Sequence, residues 1–273
     1  MTHSTSVLNR GDRAAVETVV RELLVLWQHP FNREIIPIGR FARVGSRYSF
    51  RYTRGAAAAS DFRPLPGLPD LHTVYDSDQI PAVFEERVMA PERSDYAEYL
   101  DSIGLTPELA SPWEQISRSG GQRSGDTLQF MAVPSVVDGR ARARFLTSGI
   151  RHVPEEPRCL GGWETRVSVE RHEQALIGLA CGDQLPVVAE ENNPEDRWAC
   201  MVLAGDVPLG WIPRALSPDF RELLRSGPLV VTVVRIGAPG TPSHVRLVLD
   251  LDVPAPRGFR CDRADRWEPL PAQ

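Results

Sequence analysis

At 273 residues, 42% hydrophobic and 25% charged, with a formal net charge of −5, the chain has the bulk composition of a globular protein of one or two domains. All 31 basic residues are arginine, so the chain supplies no P-loop lysine, kinase strand lysine or Schiff-base amine, and mechanisms built on one are excluded. No window approaches the roughly 18 uninterrupted apolar residues of a membrane span, and MTHSTSVLNRGDR has no apolar leader core, so the expectation is a cytoplasmic protein with no membrane partner.

Behind Asp12, a candidate N-cap, Val16, Val19, Val20 and Leu23 recur at helical spacing, so residues 1–24 read as a helical lead-in. Segments 25–28, 35–41 and 47–52 are β-rich and separated by turn residues, which predicts a meander. Residues 54–71, rich in Pro, Gly and Ala, read as a loop. From 77 to 116 the pattern turns helical: Ile80, Val83, Phe84 and Val88 form one stripe, Tyr96, Tyr99 and Leu100 another, and Pro112-Trp113-Glu114 opens a third piece. Gly120-Gly121 and Gly125 break the chain before a strand over 127–133. Residues 134–139 then read as a domain boundary, closing a first domain of 25–138.

The second half opens with a strand over 143–146 that leads into Gly149-Ile150-Arg151-His152. A helix over 170–178 and a strand over 184–189 follow. Asn192-Asn193-Pro194 starts a turn, because Pro fixes φ and Asn tolerates turn geometry. The strand 198–203 returns through Ala204-Gly205-Asp206 into 209–213, where Gly210 permits a close backbone approach and Pro213 ends pairing. A helix over 215–226 has Ser217 as its N-cap and Pro218 at its first position. Strands 229–236 and 245–253 close a second domain of 141–253, and 254–273 reads as a tail that packs only partly. The fold class is α+β.

The four cysteines, Cys159, Cys181, Cys200 and Cys261, contain no C-x-x-C pair, so they predict neither a zinc site nor a disulfide framework and read as small buried hydrophobes. His172-Glu173 begins an H-E-x-x-H pattern that ends on Leu176, and no G-x-S-x-G occurs. No catalytic residue, metal or cofactor is expected.

Three pieces of the second half carry a family resemblance: Gly149-Ile150-Arg151-His152, Asn193-Pro194-Glu195-Asp196 and Gly210-Trp211-Ile212-Pro213-Arg214. In order and spacing they resemble the G-x-R, N-P-x-D and G-x-x-P-R elements of HIRAN domains. The resemblance implies a β-rich, OB-like small barrel and recognition of a single-stranded DNA 3′ end. Glu195 stands where the family usually carries an aromatic, and the aromatic pair after Arg151 is reduced to His152 and Val153. Residues 25–138 more weakly resemble the small N-terminal subdomain of HipA-type toxin kinases, through VLWQ at 25–28, IGRF at 38–41, RYSFRY at 47–52, PAVFEERV at 81–88 and GGQRSGDTLQF at 120–130. The kinase core is absent, so that likeness implies binding to a partner kinase.

The candidate nucleic-acid-binding residues are therefore Arg151, His152, Asn193, Glu195, Asp196, Trp211 and Arg214. Arg151 can offer a planar fork to a phosphate, and Asn193 with Asp196 can bond a terminal hydroxyl or sugar edge. Those two side chains can equally cap their own turn, and Trp211 can be half-buried packing. Residues 141–255 carry 12 Arg against 15 Asp plus Glu, so a nucleic-acid site must be local rather than a bulk basic surface. The expected function is non-enzymatic binding of DNA, with a DNA-processing protein as a possible partner; the alternative is a protein-binding neutraliser or adaptor of the HipA-type toxin–antitoxin kind.

Overall fold

The run Leu23-Leu24-Val25-Leu26 is buried at every position. Strand geometry explains why it shows no polar alternation: successive side chains of β1 (Glu22–Gln28) point to opposite faces, and both faces are covered. Leu23 and Val25 enter one hydrophobic cluster, Leu24 and Leu26 another. β1 is thus a wall shared by two cores in the computed structural model, which describes residues 21–123 and 125–272. The helix expected over 12–24 lies mostly outside the described residues, and its end, Leu23 and Leu24, belongs to β1 instead.

The expected meander continues with β2 (Ile35–Val44) and β3 (Arg47–Tyr52). With β4 (Tyr75–Ser77) and β5 (Leu128–Ala132) they form an antiparallel sheet in the order β4-β3-β2-β1-β5. Four short helices lie in its connections: α1 (Arg54–Ala58), α2 (Ala82–Glu85), α3 (Tyr96–Ser102) and α4 (Pro112–Ser119). Ser111 Oγ accepts the Glu114 N–H at 3.3 Å and Gly120 ends α4 at φ 70°, as a capped helix requires. Phe41, Phe50, Phe84, Trp113 and Phe130 fill the first core. The 54–71 segment, expected as plain loop, opens with α1 and is pinned by buried Tyr52, whose hydroxyl accepts the Leu65 N–H at 2.6 Å and donates to the Leu68 carbonyl at 2.8 Å. Burial pushes that phenol up to about 12.

The second sheet begins at β6 (Ser135–Val137), which pairs with β7 (Arg140–Leu146) across a two-residue turn at Asp138 and Gly139, with φ 51° and 69°. Residues 135–139, within the stretch read as a domain boundary, thus begin this second sheet. A small ribbon follows, β8 (Arg158–Leu160) with β9 (Trp163–Thr165), then α5 (Val169–Ile177). The sheet resumes with β10 (Gln184–Ala189), β11 (Cys200–Ala204) and β12 (Val207–Trp211), then α6 (Ser217–Ser226), β13 (Leu229–Ile236) and β14 (Leu247–Pro254). Its order is β12-β11-β10-β13-β14-β7-β6. The sheet curls, and Ser148, just past β7, exchanges hydrogen bonds of 2.8 Å in both directions with Trp211 on β12.

Two smaller expectations are corrected. Ser217 is the first helical residue of α6, not its cap; its hydroxyl turns back to the Pro213 carbonyl at 3.4 Å and Leu216 takes the cap position. Cys200 is buried, but Cys181 is exposed, with its thiol on the Val234 carbonyl at 3.1 Å. The tail packs through particular residues. Phe259 and Trp267 are buried in the second core, while Leu270 lies against the first and donates its N–H to the Tyr52 carbonyl at 2.8 Å. No described helix is long and apolar enough to cross a membrane.

Candidate nucleic-acid interface

Gly149 starts the G-I-R-H segment at φ 67°, a conformation that favours glycine. A side chain there would also strike the Trp211 ring, 2.5 Å from where its Cβ would stand. The next three residues, Ile150–His152, form one 3-10 turn with Ile150 buried beneath and Arg151 and His152 exposed. Arg151 Nε lies 3.0 Å from His152 Nε2, and Arg151 has no carboxylate partner among the described residues.

Trp211 does not offer a free ring. Its indole N–H donates to Glu190 at 2.6 Å, and the Arg158 guanidinium lies 4.8 Å above its face. Glu190, only 3% exposed, is the hub of this region and was invisible to sequence reasoning. Besides Trp211 it accepts from the Asn193 amide at 2.5 Å, and Arg158 stands 3.6 Å from its other oxygen. A Glu one residue past a strand carries no local signal of burial; the clue is the pairing of β10 with β11, which carries Glu190 inward beside Trp211.

The N-P-x-D corner is likewise occupied. Asn193 Oδ1 accepts the N–H groups of Glu195 at 2.9 Å and Asp196 at 3.0 Å, and Asp196 accepts that of Trp198 at 2.9 Å. These bonds make the Asx-type turn that such residues favour. Glu195 forms an ion pair with Arg214 at 2.8 Å, and Arg214 also reaches the Arg33 carbonyl at 3.2 Å, tying the second half to the β1–β2 turn. Asn193 and Trp211 thus meet at Glu190 and Glu195 meets Arg214, while the side chains of Arg151 and His152 bond neither group and their turn is joined to the first through Arg158, which donates to the His152 carbonyl at 2.7 Å. The His172 of the broken H-E-x-x-H pattern is buried on the Leu209 carbonyl at 3.0 Å, and burial lowers its pKa. Its neighbour Glu173 pairs with Arg246 at 2.6 Å. No group of three His, Cys, Asp or Glu residues that could hold a metal occurs among the described residues.

Glu195, Asp196 and Arg214 line a cleft of about 600 Å³ between β2, α6 and the tail. Its wall holds two buried carboxylates: Asp219 accepts the Asp262 N–H at 3.2 Å, and Asp262 in turn accepts the Trp267 N–H at 2.5 Å. Burial, reinforced by Asp262 and Glu222, pushes the Asp219 carboxyl up to about 6. Because the folded pKa is raised, ionising Asp219 costs stability; the cost appears as pH rises past the unfolded value near 4 and is complete above about 6. Asp219→Asn is therefore expected to stabilise the protein by about 2–3 kcal/mol at pH 8 and by nothing near pH 4. Thermal melts at the two pH values check this; an equal effect at both would refute it.

Comparison with protein-family models, curated proteins and solved structures returns no match.

Proposed function

We infer that this protein is a non-enzymatic binder of a nucleic-acid strand, a single-stranded DNA end by the resemblance of residues 141–253 to HIRAN domains, with the curled second sheet serving as the OB-like barrel. One observation carries the reading. Arg151 keeps its guanidinium donors on an exposed turn whose base is fixed by Gly149 and Trp211. Neighbouring arginines are tied to carboxylates: Arg158 to Glu190, Arg214 to Glu195 and Arg246 to Glu173. A planar fork held in place and lacking an internal anion is suited to a phosphate. His152 beside it adds an aromatic face, and His244 lies close enough that, after partial desolvation, the Arg151 charge helps hold its imidazole below the ordinary range.

Fluorescence anisotropy with labelled single-stranded and duplex oligonucleotides tests this. Arg151→Ala is expected to weaken single-strand binding about tenfold and to flatten the salt dependence by about one phosphate contact. Arg171→Ala, which removes an exposed guanidinium already paired with Asp206 at 2.7 Å, serves as the control and should change little. Binding by Arg151→Ala equal to that of the parent would sink the strand-binding role and leave the protein-binding adaptor role in its place.

A further inference from the structure

Strand β13 carries a bulge. Thr232 and Val233 pair with Asp250 and Leu249, but the next partner of β14, Val248, faces Arg235, so Val234 is extra. Because of that added residue, consecutive Val234 and Arg235 both line one cleft, a cavity of about 550 Å³ between the two sheets. Its size is that of a small-molecule site. The other walls come from far along the chain: Phe130 of β5, Phe145 of β7 and Arg118 of α4.

Arg235 sits there without an anion. One of its guanidinium nitrogens, Nη1, donates to the Ser102 carbonyl, and the other, Nη2, is buried with no hydrogen-bond partner. The charge acting on it is Arg118, a like charge, which holds the Gly104 carbonyl at 3.0 Å and stands 3.6 Å from Glu114; Glu114 and Arg144 also line the cleft. Gly104, at φ 67°, permits this convergence: a Cβ there would stand 2.9 Å from Arg235 Cδ and 3.9 Å from Arg118 Nη1. Burial, with Arg118 adding to it, lowers the Arg235 guanidinium to about 10, so it remains charged at neutral pH. A partly buried cation without a counter-charge is costly, and buried donors are rarely left unpaired in native proteins. Both facts are explained if an anion is the normal occupant.

We propose that this cleft binds a nucleoside monophosphate, with Arg235 and Arg118 on the phosphate and the cleft-lining amides of Gln122 and Gln129 available to the edge of its base. Two guanidinium groups suit a phosphate dianion, and amides suit the mixed donors and acceptors of a base. The site is separate from Arg151 and does not depend on strand binding.

Isothermal titration with the four ribonucleoside monophosphates, the matching nucleosides and inorganic phosphate tests the assignment. At least one monophosphate should bind with a Kd below about 1 mM, at least tenfold tighter than its nucleoside or inorganic phosphate. Arg235→Met keeps the stem that packs in the cleft while removing the charge. It should melt no lower than the parent, lose monophosphate binding by at least tenfold, and lose the rise in Tm that the ligand gives the parent. Gly104→Ala, which displaces Arg235, should weaken binding as well. The proposal is overturned if no monophosphate binds, if nucleosides or inorganic phosphate bind as well, or if a folded Arg235→Met binds like the parent. Oligonucleotide anisotropy on the same Arg235→Met protein should be unchanged, which separates failure here from failure of the strand-binding role.

Discussion

Replacing Glu190 with alanine is expected to destabilise the protein by about 3–5 kcal/mol, the cost of breaking a buried ion pair by removing one partner. The carboxylate is 3% exposed and serves three donors: the Trp211 indole at 2.6 Å, the Asn193 amide at 2.5 Å and, at 3.6 Å, Arg158. Arg158, with a side chain 15% exposed, would keep its charge beside the Trp211 ring with no counter-ion. Glu190→Gln retains an acceptor oxygen and nearly the same volume, so its loss should be smaller. Arg158→Ala combined with Glu190→Ala should cost clearly less than the sum of the two, because the second change removes the charge that the first leaves stranded. Urea titrations that show shifted midpoints at constant slope measure each term; additive losses would mean that the pair is not coupled. Arg158 also donates to the His152 carbonyl at 2.7 Å, so Glu190→Ala should weaken the strand binding attributed to Arg151 without touching Arg151 itself.

Trp267→Ala is expected to cost a further about 3–5 kcal/mol in its own right, the usual range for removing a fully packed Trp. Trp267 is 5% exposed in the second core, and its backbone N–H is held by the Asp262 carboxylate at 2.5 Å. Beyond it, Arg54 donates its backbone N–H to Glu268 at 2.8 Å, and Leu270 bonds Tyr52 in the first half. A chain ending at residue 254 would lose Phe259, Trp267 and Leu270 from both cores at once, and it is expected to fail to give a cooperative thermal transition. A truncated chain that melts cooperatively within a few degrees of the parent would show that the tail is dispensable.

Much of the fold was legible in local chemistry. Strands 47–52, 184–189 and 229–236 are found at the expected residues, because β-branched and aromatic runs bounded by turn residues carry their signal within a few positions. The same holds for the start of α4 at Pro112 and for the turn built by Asn193 and Asp196. The candidate site was legible only in part. Arg151 and His152 are exposed, but the side chains of Asn193, Trp211, Glu195 and Arg214 are spent on partners within the protein. Whether a polar side chain faces a ligand or its own chain depends on what stands opposite it, and for Trp211 that is Glu190, 21 residues earlier.

By itself, the sequence determined the α+β class, the all-arginine basic set and the placement of most strands, since these follow from composition and from side-chain periodicity along one segment. Tertiary structure alone decided that β1 serves two cores, that the tail closes over both, that Glu190 is a buried hub and that a bulge in β13 brings Arg235 beside Arg118. These features pair residues tens to hundreds of positions apart. No local propensity encodes them, because the energy that selects them, burial of apolar surface and compensation of buried charge, exists only after distant segments have met.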